Sequence, residues 1–400
     1  MADQYLHGSN TIEKSNGLRP VRTAKSAVIG IVGTAPAADN TVFPVNEPVH
    51  IQTAGDAALI GATGTLPDAL DGVFDQRNGL DVVLVRVEEG VDADATMSNI
   101  IGASGAMTGV HALAAAQSEL GIRPRILSAT GFTSQRPGDA ANPVVAELLG
   151  IAEGLRATTI ADGPNTDKAD AVTYRADWGS RRVFVVDPAV KAFRDGATII
   201  EPASARVAGL TAKTDYTDGF HHSPSNKIVN GITGTARPIP FGLNNHATEA
   251  NFLNENEVAT IINHDGYRLW GNRTTASDPL WAFLPVARTV DMVYDAIEEA
   301  TMWALDKPFS VQLLVDIAEQ VNAYLRFLSN PAIGALIGGK CWLDPALNTP
   351  AQFLDGKSFI SFDLEPPAPN EHMTFVAYRN AGYYTELAED AAREIALQAA

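Results

Sequence analysis

The sequence has a single cysteine, Cys341, in 400 residues. That excludes an intrachain disulfide and any cysteine-based zinc site, and it fits folding in a reducing compartment. There is no uninterrupted apolar run of the roughly 20 residues needed to span a bilayer, so membrane insertion is not expected. Basic residues are scarce. The 29 Lys and Arg stand against 47 Asp and Glu, a net charge of −18. A chain of that sign repels phosphate backbones, and no run of Lys and Arg offsets it, so nucleic acid is not an expected partner. The stretch MADQYLHGSNTIEK lacks the basic-then-apolar order of a signal peptide, and assembly in the cytoplasm is expected.

What is present is ordinary for a globular protein: 46% hydrophobic and 19% charged residues, in a chain long enough for two or three domains. Residues 1–25 are polar and too poor in apolar side chains to fold alone, which predicts an extended arm. Residues 26–110 read as a β-rich segment. Strands are expected at Ala27–Gly33, Val49–Thr53 and Asp81–Val87, with a short helix at Pro67–Gln76, while residues 90–118 show poor periodicity.

From residue 111 to 250 strand and helix alternate. RPRILSAT, ATTIAD and RRVFVVDP predict strands. Asn142 caps a helix with Pro143 at its first position and an apolar face of Val145, Leu148, Leu149, Ala152 and Leu155. Helices are also expected at Thr166–Arg175 and Ala203–Lys213. This alternation predicts a mostly parallel α/β domain. Residues 251–372 differ in character: four of the five Trp fall between 270 and 342. Two amphipathic helices there carry Val293, Ile297, Ala300 and Ala304, then Leu314, Ala318, Val321, Leu325 and Leu328. With a short helix from Asn330 and a strand at Ser358–Phe362, they predict an α+β domain. MTFVAYRN predicts a further strand in a C-terminal segment, 373–400.

Three stretches invite a chemical reading. Gly30-Ile31-Val32-Gly33 follows a strand, but it lacks the third glycine of a dinucleotide loop, and Pro36 stands where the helix should begin. In DGFHHSPSN (218–226), the adjacent His221 and His222 point to opposite faces of a strand or about 100° apart on a helix, an arrangement ill fitted to share a metal. No G-x-S-x-G nucleophile elbow occurs. No catalytic, cofactor or metal residues are therefore assigned. The stretch YRLWGNRTTASDPLWAFLP (267–285) gathers Trp270, Gly271, Asn272, Arg273, Asp278 and Trp281 into a polar bend between two apolar strands, YRLW and LWAFL. Arg273 is suited to bonding carbonyls of the bend or to a cation–π contact with a Trp. Asp278, in a turn, is a poor base, so the bend reads as architecture.

These stretches carry a resemblance. GTLPDALDGVFDQ (64–76), SATGFTSQ (128–135), ADGPNT (161–166), VVDP (185–188), PASARVAGL (202–210), SPSN (223–226), RLWGNRT with DPLWAF (268–283) and GGKCWLDPALNTP (338–350, with Trp342) follow one another in a shared order and spacing. In that order the chain resembles the contractile tail sheath proteins of bacteriophages, nearest the P2-like sheaths and their R-type bacteriocin relatives. The resemblance implies a non-enzymatic subunit of the virion tail, assembled in the host cytoplasm. It implies stacked six-membered rings around an inner tail tube protein, with baseplate and tail terminator proteins as further partners. It also implies an outer three-layer α/β domain, subtilisin-like in layering only, and an inner α+β domain built from the C-terminal region and the N-terminal strand.

A sheath must rearrange without its subunits separating. Strands donated to neighbours keep their backbone hydrogen bonds while a linker hinges. The expected inter-subunit arms are Tyr5, Leu6 and Ile12 at one end and Thr374, Phe375, Val376, Ala377 and Tyr378 at the other, with EPPAPNE (365–371) as a stiff spacer. The competing expectation is an α/β-class hydrolase or oxidoreductase using residues 27–240, with a ligand pocket at the strand ends.

Overall fold

The computed structural model describes residues 21, 25–194 and 196–399. The chain divides into a larger unit, Met1–Pro369, and a smaller one, Asn370–Ala400.

In the larger unit the strands in chain order are β1 (Ile29–Thr34), β2 (Pro48–Ile51), β3 (Val82–Val87), β4 (Ile126–Ser128), β5 (Thr158–Asp162), β6 (Val183–Val186), β7 (Val190–Arg194), β8 (Ala197–Glu201), β9 (Gly234–Thr235), β10 (Val258–Asn263), β11 (Tyr267–Trp270), β12 (Gly338–Leu343) and β13 (Ile360–Glu365). Its helices are α1 (Leu66–Gln76), α2 (Ala93–Ile101), α3 (Ala112–Leu120), α4 (Pro143–Leu155), α5 (Lys168–Ala176), α6 (Ser204–Thr217), α7 (Glu249–Glu255), α8 (Leu284–Thr301), α9 (Val311–Leu328) and α10 (Pro350–Leu354).

Eight strands form one sheet in the order β11-β10-β6-β5-β4-β1-β3-β2. The pairs from β3 through β1, β4, β5 and β6 to β10 are parallel, and β2 and β11 close the two edges antiparallel. The parallel strands read as continuous apolar runs because both faces are covered. Ile29 and Ile31 join a core with Leu66 and Leu70 of α1 and Val207 and Leu210 of α6. Val28 and Val32 join another with Leu113 of α3 and Leu148 of α4. β7, β8 and β9 make a separate small sheet.

A third core holds Val293 and Ala296 of α8, Ile317, Val321, Leu325 and Leu328 of α9, and Cys341 of β12, with Val21 partly buried against it. β12 and β13 pair antiparallel as a two-stranded sheet.

Several expectations are corrected. β1 and β3 lie within the large sheet, and Arg288 of α8 donates to Ser26 O. β10 pairs in parallel with β6 and brings β11 with it, so the large sheet continues past residue 250; VATII (258–262) is a buried strand of the same kind as those before it. Residues 90–118 contain α2 and α3, whose alanine-rich faces gave too little contrast for a period to show. No helix starts at Asn330; Ala335 and Leu336 N–H donate back to Leu328 O at 3.1 and 3.2 Å, folding the chain onto the end of α9.

In the smaller unit, residues 371–380 have neither helix nor strand, and α11 (Tyr383–Gln398) follows. MTFVAYRN is therefore not a paired strand in the single chain.

Candidate functional site

In a sheet of this order a ligand is expected at the carboxyl ends of β1 and β4, where the connections switch direction. Here that position is closed. Thr65 N–H donates to Thr34 O at 2.9 Å, and a Cβ on Gly64 would lie 2.3 Å from that same oxygen. Only glycine, at φ 96°, lets the entry to α1 lie so close to the end of β1.

Beneath it is a polar knot. Ser204 donates its backbone N–H to Asp162 Oδ1 at 2.8 Å and its hydroxyl to Asp162 Oδ2 at 2.6 Å, while Thr133 donates to Oδ2 at 3.0 Å. Burial pushes the Asp162 carboxyl above the ordinary carboxylate value, against the opposing pull of these donors. Ser204 and Thr133 are sealed from solvent. The serine hydroxyl is committed to a carboxylate and has no route to a substrate. The knot anchors α6 to β5, with the acid at the helix N-terminus.

A cleft of about 760 Å³ opens at the opposite, amino ends of β1 and β4, lined by Lys25, Val28, Arg123, Arg125 and Asp295 among others. It borders a charged seam. Asp295 of α8 accepts from Arg156 Nη1 at 2.6 Å and Arg123 Nη1 at 3.3 Å, and pairs with Arg125. Glu298 pairs with Arg156 at 2.5 Å, and Asp291 with Arg182. Arg288, Asp291, Asp295 and Glu298 recur every three or four residues, so one face of α8 is ionic while Val293 and Ala296 join α9. The sequence reading recorded only the apolar face. The signal was present: charges at helical spacing on a helix whose other side is greasy.

The bend at 270–283 leads from β11 of the large sheet into α8. Gly271, at φ 141°, lies against Ala259, where a Cβ would come within 2.8 Å of its Cα. Asn272 accepts from the Ser223 hydroxyl, and its carbonyl accepts from Leu284 N–H at 2.8 Å. Asp278 caps a turn, accepting from Leu280 N–H at 3.0 Å. Trp270 meets Phe241 edge-on. Arg273 stacks over Phe283, not a Trp, at 4.8 Å, and Trp281 takes Arg181 at 4.3 Å. The strand expected at Leu280–Leu284 is instead a 3₁₀ turn followed by α8, because Pro279 and Pro285 suit helix entries. Trp342 lies on β12 beneath the Lys340 ammonium, 5.5 Å away.

His221 and His222 stack at 4.3 Å. Burial holds the His221 imidazole below its usual value. Among the described residues no group of three His, Cys, Asp or Glu could hold a metal, and no helix is long and apolar enough to cross a membrane.

Of the expected arm residues, Tyr5, Leu6 and Ile12 lie outside the described residues. Thr374, Phe375, Val376, Ala377 and Tyr378 are all exposed.

Two family models match adjacent parts of the chain: the phage tail sheath protein central domain over residues 105–275 and the phage tail sheath C-terminal domain over 276–379. Their junction falls within the bend. A prophage major tail sheath protein of Pseudomonas aeruginosa is 39% identical, covering 92% of this chain and 95% of its own. The tail sheath protein of Escherichia phage P2 is 36% identical over 92% and 94%. Among solved structures, the anti-feeding prophage helical sheath in its contracted state superposes with a TM-score of 0.68 at 21% identity, covering 94% of this chain and all of that one. The sheath complex of the extracellular contractile injection system PVC, also contracted, gives 0.68 at 19% identity over 95% and 99%. The enzyme expectation falls with these matches and with the closed strand ends: the chain belongs to the phage tail sheath family, whose members are structural tail proteins and not enzymes.

Proposed function

We propose that this chain polymerises as stacked hexameric rings around an inner tube, from a baseplate to a terminator, and contracts from a metastable extended state to drive the tube through a cell envelope. In this reading the subunits assemble in the host cytoplasm. The α/β lobe is the outer, three-layer domain, and the α8–α9 lobe is the inner, tube-proximal one. Terminal arms, Tyr5–Ile12 and Met373–Tyr378, link neighbours as added strands, with residues 365–371 as spacer.

One observation carries the reading. Phe375, Val376 and Tyr378 are 84%, 68% and 88% exposed in a segment with neither helix nor strand. An unpaired apolar segment of this kind is an aggregation hazard unless a sheet edge receives it. β12–β13 offers such edges, since among the described residues this sheet has two strands and is marginal alone. About five strand hydrogen bonds, at a net ~0.5–1.5 kcal/mol each, contribute a few kcal/mol per arm. That falls short of the ordering cost of ~1–2 kcal/mol per residue unless side chains also pack. Arms should therefore order only on assembly, and assembly should be cooperative.

Electron microscopy of the overexpressed protein tests this. Hollow, striated cylinders are expected; compact particles of one fixed size would overturn it.

A further inference from the structure

α11 is 16 residues long, and every described side chain in it is exposed. Tyr384, Leu387, Ala391 and Ile395 recur at three- and four-residue spacing and form one stripe, while Glu386, Glu389 and Asp390 with Arg393 occupy the other side. Glu394 borders the stripe. A helix of this length and mixed composition is marginal in water, and helices in proteins owe most of their stability to packing an apolar face. The stripe therefore requires a cover.

We infer that a second copy of this chain supplies it, at the corner where α9 runs into β12. This rests on the reading that Met373–Tyr378 is donated to a neighbour. Only Arg379–Gly382 separate that segment from α11, and four residues span at most about 14 Å. α11 must then land beside the edge that receives the strand, on the same neighbour. The corner fits the stripe. Phe327 and Ile337 are 58% and 71% exposed, and the backbone bonds from Ala335 and Leu336 to Leu328 hold the two chain segments together. Arg326 is exposed at the same turn of α9, and Lys340 on β12. In a chain of net charge −18, this exposed pair of cations complements the carboxylates of α11, Glu394 foremost. α11 also lies beyond the residues matched by the family model, which end at 379.

The test uses the full chain with Cys341→Ser, Ile337→Cys and Leu387→Cys, polymerised and treated with a short bis-maleimide. A ladder of cross-linked dimers and higher species is expected from the polymer and not from dilute monomer. Cross-links confined to single chains, or polymers without a ladder, would overturn the inference, as would cross-links appearing only when a tube protein is added. A second variant lacking residues 381–400 keeps the donated segment. Its critical concentration for polymerisation should rise at least tenfold, with cylinders still forming at high concentration. An unchanged critical concentration sinks the docking of α11 and leaves strand donation standing. Val376→Pro, which removes a backbone donor from the strand, tests that reading separately.

Discussion

Arg288 near the start of α8 donates through both terminal nitrogens to the two carboxylate oxygens of Asp215 in the last turn of α6, at 2.7 and 2.6 Å. Both side chains are buried, and Arg288 also donates to Ser26 O at 3.1 Å. The pair ties α8 to α6. Removing one partner of such a pair strands a buried charge, at a cost of about 3–5 kcal/mol. Asp215→Ala and Arg288→Ala should each lose that much in denaturant unfolding of the soluble chain. The double variant Asp215→Leu/Arg288→Met should recover most of the loss. If each single change costs under about 1 kcal/mol, the seam does not hold the lobes.

Asp162 gives a pH signature with a definite sign. Its folded carboxyl is raised above 3.8 by burial, so the folded state holds the proton more tightly than the unfolded one. The stability this contributes is complete below about pH 4, and it declines as pH rises through the folded value. Asp162→Asn removes the dependence and keeps the side chain's shape. The melting temperature of the variant relative to the parent should therefore rise from pH 4 to pH 7. A relative fall over that interval would mean that the donors from Ser204 and Thr133 outweigh desolvation and hold the group ionised.

Most of the parallel sheet was legible, because strands buried on both faces leave unbroken apolar runs such as AVIGIVG and RRVFVVDP. The cap at Asn142 was equally readable: its side chain accepts from Val145 N–H with Pro143 next in line. The small sheet was missed because VKAFR and ATIIE alternate only weakly and Phe193 and Ile200 face outward, 62% and 60% exposed. β10 was not anticipated, because its pairing with β6 is a long-range fact with no local mark. The same holds for the seam: which arginines meet Asp295 depends on Arg123 and Arg125 before β4 and Arg156 at the end of α4 arriving from two places in the chain.

The bend at 270–283 predicts two costs of different size. Gly271→Ala puts a methyl where only 2.8 Å separates it from the Ala259 backbone, at a φ of 141° that side chains rarely adopt. It should destabilise by about 2–3 kcal/mol. Arg273→Ala loses the stacking contact with Phe283 among its interactions, and that contact alone should cost about 0.5–2 kcal/mol. Thermal melts of the two variants check both losses. An unchanged melting curve for Arg273→Ala would count against the structural role of the bend.

Deleting Met1–Asn16 separates assembly from folding. The segment includes Tyr5, Leu6 and Ile12, and residues 1–25 are too poor in apolar side chains to fold alone. The shortened chain should therefore melt within a degree or two of the parent and stay soluble. If the N-terminal arm is a donated strand, removing it leaves each neighbour's sheet edge unfilled and takes away one of the two links per subunit. Because such heterologous contacts propagate an open polymer, losing one kind should stop growth at every step and not merely shorten the product. Sedimentation should then show monomer at concentrations where the parent forms cylinders. Normal cylinders from the shortened chain would leave the C-terminal segment as the sole tether and refute the two-armed arrangement.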